Sequence, residues 1–407
     1  MNTNVSARLL LLLSLLWAEG VSADVCSEQN YTLSTQAEVE ALGAEGCTTV
    51  EGSLEIKDST NITNLDALSN LASIGYLKIL SNSSLTNLDG LANVTNASTL
   101  EITDNPALDD LLGLSGITSL GGDGFMEGGD LRIVGNAGLK TLAGLDKVTT
   151  EFGSLVISNN RSLTDISALS NIERLFSLDL QGNALLTNLS GLNNVKTVSS
   201  SLSITDTALV HLDELSNIRG NQFQIIIENN KALKNINGLS GITLMRDYLS
   251  ITGNTDLTNL DGLANVTEIF GTQYPPTVQL YDNVALENCH GLARLLGWPD
   301  GPSGTELADG FIDIRDNSPR CNSVDKILDL YSQLPQNRFI NLLDSLVGIT
   351  VASGKADGGA KNSARASEVQ RNDKVLTVEQ IPTLPKLVLA LLSGLVGLFG
   401  IRRLVRR

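Results

Sequence analysis

The chain is 407 residues long, 42% apolar but only 4% aromatic, with 45 acidic against 28 basic residues and two histidines. That apolar fraction excludes disorder throughout and predicts a large, aliphatic core. The acid excess makes nucleic acid and anionic membrane surfaces poor partners, and His211 and His290 leave little scope for histidine catalysis or a multi-histidine metal site.

The chain opens with Arg8, an apolar run over residues 9–17 and small residues at Val21-Ser22-Ala23. This is the make-up of a secretory signal peptide cut after Ala23, and the run is too short to cross a bilayer. Residues 1–23 are therefore expected to be lost on export.

Residues 24–340 hold an internal repeat, which decides the fold. Eleven apolar-x-apolar triplets recur, from Leu54-Glu55-Ile56, Leu77-Lys78-Ile79 and Leu100-Glu101-Ile102 to Val278-Gln279-Leu280 and Ile312-Asp313-Ile314. Their spacing is 23 or 24 residues, stretched to 31, 29 and 34 at three insertions. Period-two alternation marks short strands with one buried face. Three residues past each triplet stands an asparagine in nine of eleven cases: Asn82, Asn105, Asn136, Asn160, Asn183, Asn230, Asn254, Asn283 and Asn317. Ser59 and Thr207 fill the other two positions. An amide at fixed register can bond the coils above and below it, so the pattern predicts an asparagine ladder. Apolar residues then follow at three-residue spacing, as in Leu85, Leu88, Leu91 and Val94. A glycine precedes the third of these, as Gly90, Gly113, Gly144, Gly191, Gly238, Gly262 and Gly291. That return suits turns or 3-10 segments. The expected fold is mainly β: a parallel β-solenoid of about eleven coils of ~24 residues, each burying its apolar face against its neighbours.

This register resembles the receptor L-domain family, a branch of the leucine-rich-repeat-like right-handed solenoids. The nearest stretch, Cys47-Thr48-Thr49-Val50-Glu51-Gly52-Ser53-Leu54-Glu55-Ile56, is similar to the family's opening of cysteine, apolar residue, glycine and leucine-x-isoleucine. The resemblance covers about residues 26–335. It implies a right-handed solenoid acting as a non-enzymatic binding or structural module, with no ligand attached.

Four cysteines in an exported chain allow three pairings. Cys26 and Cys47 flank the first triplet, Cys289 and Cys321 the last, and local pairing would tie down both solenoid ends. The middle residues of the triplets are expected to face outward. The first four, Glu55, Lys78, Glu101 and Arg132, alternate in sign and suit cross-strand ion pairs. A solvated, self-paired face is one reading of this strip, and ligand recognition through Lys78 and Arg132 is the sharper one. The three insertions hold Phe125, Tyr274 and Trp298, further candidates for ligand contact on a rigid scaffold. Residues 323–333 suit a short helix closing the last coil. No constellation for catalysis, a metal or a cofactor is visible.

Residues 341–380 lack the repeat and read as a flexible stalk. From residue 381 to 401 the chain is mostly apolar with one charge, Lys386, then ends in Arg402, Arg403, Arg406 and Arg407. Residues 381–407 are thus expected to form a membrane-spanning helix with a cytoplasmic basic end. Ile381-Pro382-Thr383-Leu384 followed by such a helix resembles the IPTL-type sorting signals of Gram-negative bacteria, which are similar to the PEP-type tails processed by exosortase-like enzymes. That resemblance implies export, transient membrane anchoring, a sorting protease as partner and delivery to the envelope.

Between signal and tail the chain carries 22 basic and 44 acidic residues. The expected function is an exported, non-enzymatic envelope module that recognises an extracellular protein or glycan. A fungal-type GPI-anchored wall protein is the alternative, suggested by eight Asn-x-Ser/Thr sequons beyond the signal segment. A polysaccharide-acting enzyme is the third reading.

Overall fold

The computed structural model describes residues 24–121, 129–150, 153–271, 275–298 and 306–333. Two compact units, Met1–Asn341 and Leu342–Arg407, divide the chain, and every described residue belongs to the first. The predicted signal 1–23, stalk 341–380 and tail 381–407, with Ile381, Pro382, Thr383 and Leu384, lie outside the described residues. Among the described residues no helix is long and apolar enough to cross a membrane.

Period-two apolar patterning produces one sheet of fifteen strands, all paired in parallel, in a β-solenoid-like fold. They are β1 (Tyr31–Leu33), β2 (Thr49–Lys57), β3 (Ser73–Leu80), β4 (Asn96–Thr103), β5 (Ser119–Leu120), β6 (Leu131–Val134), β7 (Thr149–Thr150) and β8 (Ser154–Ser158). There follow β9 (Arg174–Gln181), β10 (Thr197–Thr205), β11 (Gly220–Glu228), β12 (Ile242–Thr252), β13 (Glu268–Phe270), β14 (Thr277–Tyr281) and β15 (Phe311–Arg315). The main path runs in chain order, β1-β2-β3-β4-β6-β8-β9-β10-β11-β12-β14-β15, while the short β5, β7 and β13 pair to one side of it. Leucine sits on leucine along it: Leu54 pairs with Leu77, Leu77 with Leu100, Leu100 with Leu131 and Leu131 with Leu155. The columns Leu54–Leu77–Leu100 and Ile56–Ile79–Ile102 are fully buried.

The sheet has one strand more on its path than the eleven triplets. Tyr31 to Leu33 pairs with Leu54 to Ile56 and adds a first rung. It carries no ladder asparagine, because the chain turns directly into helix α1 (Gln36–Glu45). The start of α1 was legible in Thr35-Gln36-Ala37-Glu38, a capping box. The Thr35 hydroxyl accepts from the Glu38 N–H, and the Glu38 carboxylate accepts from the N–H groups of Ser34 (2.7 Å) and Thr35 (2.9 Å). Those donors hold the Glu38 carboxyl below its ordinary range. Gly46, at φ 68°, ends the helix. At the other end, helix α2 (Val324–Gln333) packs Ile327 into the core. The structure joins Cys26 to Cys47 beside β1 and Cys289 to Cys321 beside β15.

The nine asparagines form one column with two functions. Each Nδ2 donates to the strand carbonyl of the preceding rung: Asn82 to Ile56 (2.8 Å), Asn105 to Ile79 (2.8 Å), Asn136 to Ile102 (2.8 Å) and so on to Asn317 and Leu280 (2.7 Å). Each Oδ1 from Asn105 onward accepts the backbone N–H of the ladder residue below, that of Thr207 in the case of Asn230 (3.1 Å); thus Asn82 N–H donates to Asn105 (3.1 Å) and Asn105 N–H to Asn136 (3.0 Å). The column starts with Asn82, whose buried Oδ1 has no hydrogen-bond partner, and it closes where Asn317 N–H donates to Asn322 (3.2 Å). The residue before each ladder position is left-handed in all eleven rungs, from Asp58 (φ 55°) through Gly135 (φ 69°) to Asp316 (φ 53°). This explains why those positions hold only Asp, Asn, Ser or Gly.

Eight 3-10 segments, from Asp66–Leu68 to His290–Leu292, make the return. The glycine column marks where successive returns touch. A Cβ on Gly262 would stand 1.9 Å from the Ile236 carbonyl oxygen, and one on Gly90 1.7 Å from that of Leu65. Three rungs carry a side chain there instead: Ala67, Ala168 and Glu214. Ala67 lies over Gly43 of α1, while Ala168 and Glu214 follow rungs whose own glycines, Gly144 (φ 108°) and Gly191 (φ 112°), adopt a different turn.

Replacing Asn105 with alanine removes two acceptor bonds from Asn82 and the donor to Ile79, so it should destabilise the fold by about 3 kcal/mol. Thermal unfolding followed by circular dichroism checks this, and a change below about 0.5 kcal/mol would contradict it. In the same assay Gly262→Ala should destabilise more than Ala168→Gly, because only the former forces two backbones apart; for the latter about 1 kcal/mol is expected.

Candidate functional site

Within each main rung the two apolar positions point into the core, and the residues before, between and after them form the outward face. On β11, β12, β14 and β15 these are Gln224, Tyr248, Thr277 and Phe311 in the first column, Ile226, Ser250, Gln279 and Asp313 in the second, and Glu228, Thr252, Tyr281 and Arg315 in the third. The middle positions are mostly half-buried instead of freely solvated, and Ser250 is fully buried. Larger neighbours cause this. The Tyr248 and Glu228 side chains close over Ser250, whose hydroxyl donates to Glu228.

The β2–β6 half of the face is charged. Lys78 Nζ stands 3.0 Å from Glu55, which Lys57 also approaches at 2.7 Å, and these cations hold the Glu55 carboxyl low. Arg132 Nε lies 3.4 Å from Glu101. The expected alternating row is thus two separate pairs, each partly exposed and worth under about 1 kcal/mol. Beyond them, burial raises the Asp179 carboxyl, opposed by a Ser203 hydrogen bond and by Arg132. Where β2–β4 kink at Glu51, Gly75 and Ser98, a shallow groove of about 300 Å³ opens, lined mainly by backbone and small residues.

The β12–β15 half is aromatic and polar. Tyr248 donates its hydroxyl to Gln279 Oε1 (2.5 Å), and burial raises its pKa, with the Glu228 charge adding to it. The Arg315 guanidinium lies 4.4 Å from the centre of the Tyr281 ring and pairs with Asp313 (3.1 Å) and Asp316 (2.6 Å). Phe311 is 56% exposed. Beside them, Arg246 stands 4.8 Å over the Phe270 ring. This cluster is not visible in the middle residues of the triplets, which alone carry the expected outward strip. The flanking positions carry the rings, and a chain with so few aromatics placing Tyr248, Tyr281 and Phe311 at flanking positions was the available signal.

Of the residues singled out for ligand contact, Lys78 and Arg132 lie in the charged half, engaged with acids. Trp298 lies in the C-terminal cap, its ring 4.8 Å from that of Tyr331 on α2. His290 meets Tyr331 edge-on, and burial lowers its imidazole pKa. The structure therefore does not bring Trp298 together with Lys78 and Arg132. Phe125 and Tyr274 lie outside the described residues. Among the described residues no group of three or more His, Cys, Asp and Glu side chains is arranged to hold a metal ion.

One rung departs from three columns at once. Thr207 stands in the asparagine ladder, His211 where other rungs place Asn, Asp or Thr to cap the return, and Glu214 in the glycine column. The Thr207 hydroxyl bonds Asn230 (2.6 Å) but offers no amide to Asn183. Glu214, 11% exposed, has Oε2 3.5 Å from His211 Nδ1, inside ion-pair range but without a hydrogen bond to either atom. Glu214→Ala repeats the arrangement of Ala168 above Gly144 and removes an unsatisfied carboxylate, so the melting temperature at pH 7 should stay the same or rise. A loss above about 1 kcal/mol would show that the pair with His211 stabilises this rung.

No protein-family model and no curated protein matches the chain, so the functional reading rests on its residues and geometry.

Proposed function

We propose that this chain is an exported, non-enzymatic cell-envelope protein whose solenoid, of receptor L-domain type and right-handed, presents the outward face of its sheet to an extracellular protein or glycan. The observation that carries the reading is the division of labour across the sheet. Amide and aliphatic columns fix the rungs from inside, leaving a continuous outward face free to vary in sequence. Two disulfides suit an oxidising compartment. The signal-like start and the Ile381-Pro382-Thr383-Leu384 tail support export and envelope delivery. The fungal-type GPI reading is weakened by its sequons: Asn82 and Asn160 are fully buried ladder members, unable to carry a glycan.

Surface labelling of intact cells with a membrane-impermeant amine reagent should tag the protein, and mass spectrometry should place its mature C-terminus near residues 380–383. Deleting it should reduce attachment of the cells to surfaces or to other cells. A protein shielded from the reagent in intact cells would contradict the proposal.

A further inference from the structure

We propose that the outward face of β12, β14 and β15 binds a neutral polysaccharide, with the rings of Tyr248, Tyr281 and Phe311 as stacking platforms and Gln279 and Asp313 as partners for sugar hydroxyls. This rests on the envelope role proposed above and names the ligand class for that face.

The core does not call for these rings, although Tyr248 also covers Ser250 and Tyr281 carries Arg315 on its ring. The core beneath is closed by Leu249, Ile251, Val278 and Leu280, all at most 1% exposed, whereas Phe311 is 56% exposed. At the flanking and middle positions of the other triplets on β2–β15 the described residues include one further aromatic, Tyr76, while Phe176 on β9 and Phe270 on β13 lie outside the triplets. The strand register sets the spacing: Tyr248 and Phe311 share a column two rungs apart, roughly 10 Å, with Tyr281 across the face. Two pyranose units joined end to end span a similar length. A pyranose offers an apolar C–H face to an aromatic ring and hydroxyls at its rim, and the face matches both needs. Gln279 Oε1 accepts the hydrogen bond from the Tyr248 hydroxyl, which leaves its Nε2 as a donor, and Asp313 supplies acceptors.

Charge selects a neutral ligand. Of the two guanidiniums on these strands, Arg315 is held by Asp313 and Asp316 and Arg246 lies over the Phe270 ring, while Glu228 lies alongside. An anionic chain would meet the Glu228, Asp313 and Asp316 carboxylates. A protein partner would need a broad apolar centre; here Thr252, Thr277 and Ser250 separate the rings.

The test is native electrophoresis of the full chain in mild detergent through gels containing neutral glucans, mannans or galactans, with polygalacturonate as the anionic comparison and co-sedimentation with whole cells in parallel. At least one neutral polysaccharide should retard the chain. Tyr281→Ala and Tyr248→Ala should weaken that retardation about tenfold, and Tyr281→Phe by less than about threefold. Phe311→Ser, which removes a ring the core does not use, guards against misfolding and should also weaken it, whereas Lys140→Ala, at an exposed ion pair with Asp109 outside this face, should not. Neutral binding that survives Tyr281→Ala, Tyr248→Ala and Phe311→Ser would overturn the assignment, as would retardation by polygalacturonate alone. A chain that sediments with cells but ignores every polysaccharide overturns the glycan site and leaves the envelope role standing. A chain that does neither overturns both.

Discussion

A hydrogen bond from an asparagine Nδ2 to the strand carbonyl one rung earlier underlies this structure. Where each strand ends and the chain turns left-handed, the carbonyl of the last apolar residue loses its ladder partner. The asparagine of the following rung supplies the missing donor, as Asn136 does for Ile102 and Asn254 for Ile227. An unsatisfied buried carbonyl would cost about 1–3 kcal/mol. Because donor and acceptor belong to different rungs, no rung is satisfied alone, and stability accrues through nearest-neighbour contacts. The ends need other devices for the same reason: Asn322 stands in for a missing rung, and helices and disulfides flank the first and last strands.

Stacking also dictates what each column tolerates. Rungs only a strand spacing apart leave no room for a Cβ between successive returns, so that column is glycine wherever a 3-10 return follows another. The exceptions obey the same geometry, since Ala168 and Glu214 come only after returns built on left-handed glycines. Relaxing one column allows its neighbours to vary, and the rung holding Glu214 is also the one with Thr207 and His211. The inward columns are constrained by the rungs on both sides. The outward columns are not, and there residue type changes from charged near β2 to aromatic near β15.

Much of this was legible in the residues, because the repeat writes each column many times. The sheet, its parallel order and the compact returns all follow from the register of Leu, Ile, Asn and Gly. What the repeat writes only once was harder to read. β1 lacks an asparagine, and α1 is announced by a four-residue capping box alone. The aromatic cluster arises from Tyr248, Tyr281 and Phe311 in flanking columns, and only strand pairing shows that these neighbour one another. The pairing of Tyr248 with Gln279 and the burial of Ser250 depend on side-chain direction, which residue spacing does not encode.

A constrained inner register with a variable outer face suits the binding role proposed for that face, and the ladder is what makes such variation harmless. Its central requirement, that coils stack as equivalent units, is tested most directly by deletion. Removing residues 160–182 excises one whole rung and joins Asn159 to Asn183, restoring every column. Removing residues 160–171 breaks the register instead. The stacked ladder predicts that the first variant keeps a cooperative thermal transition by circular dichroism and the second does not. Equal behaviour of the two, folded or unfolded, would contradict it.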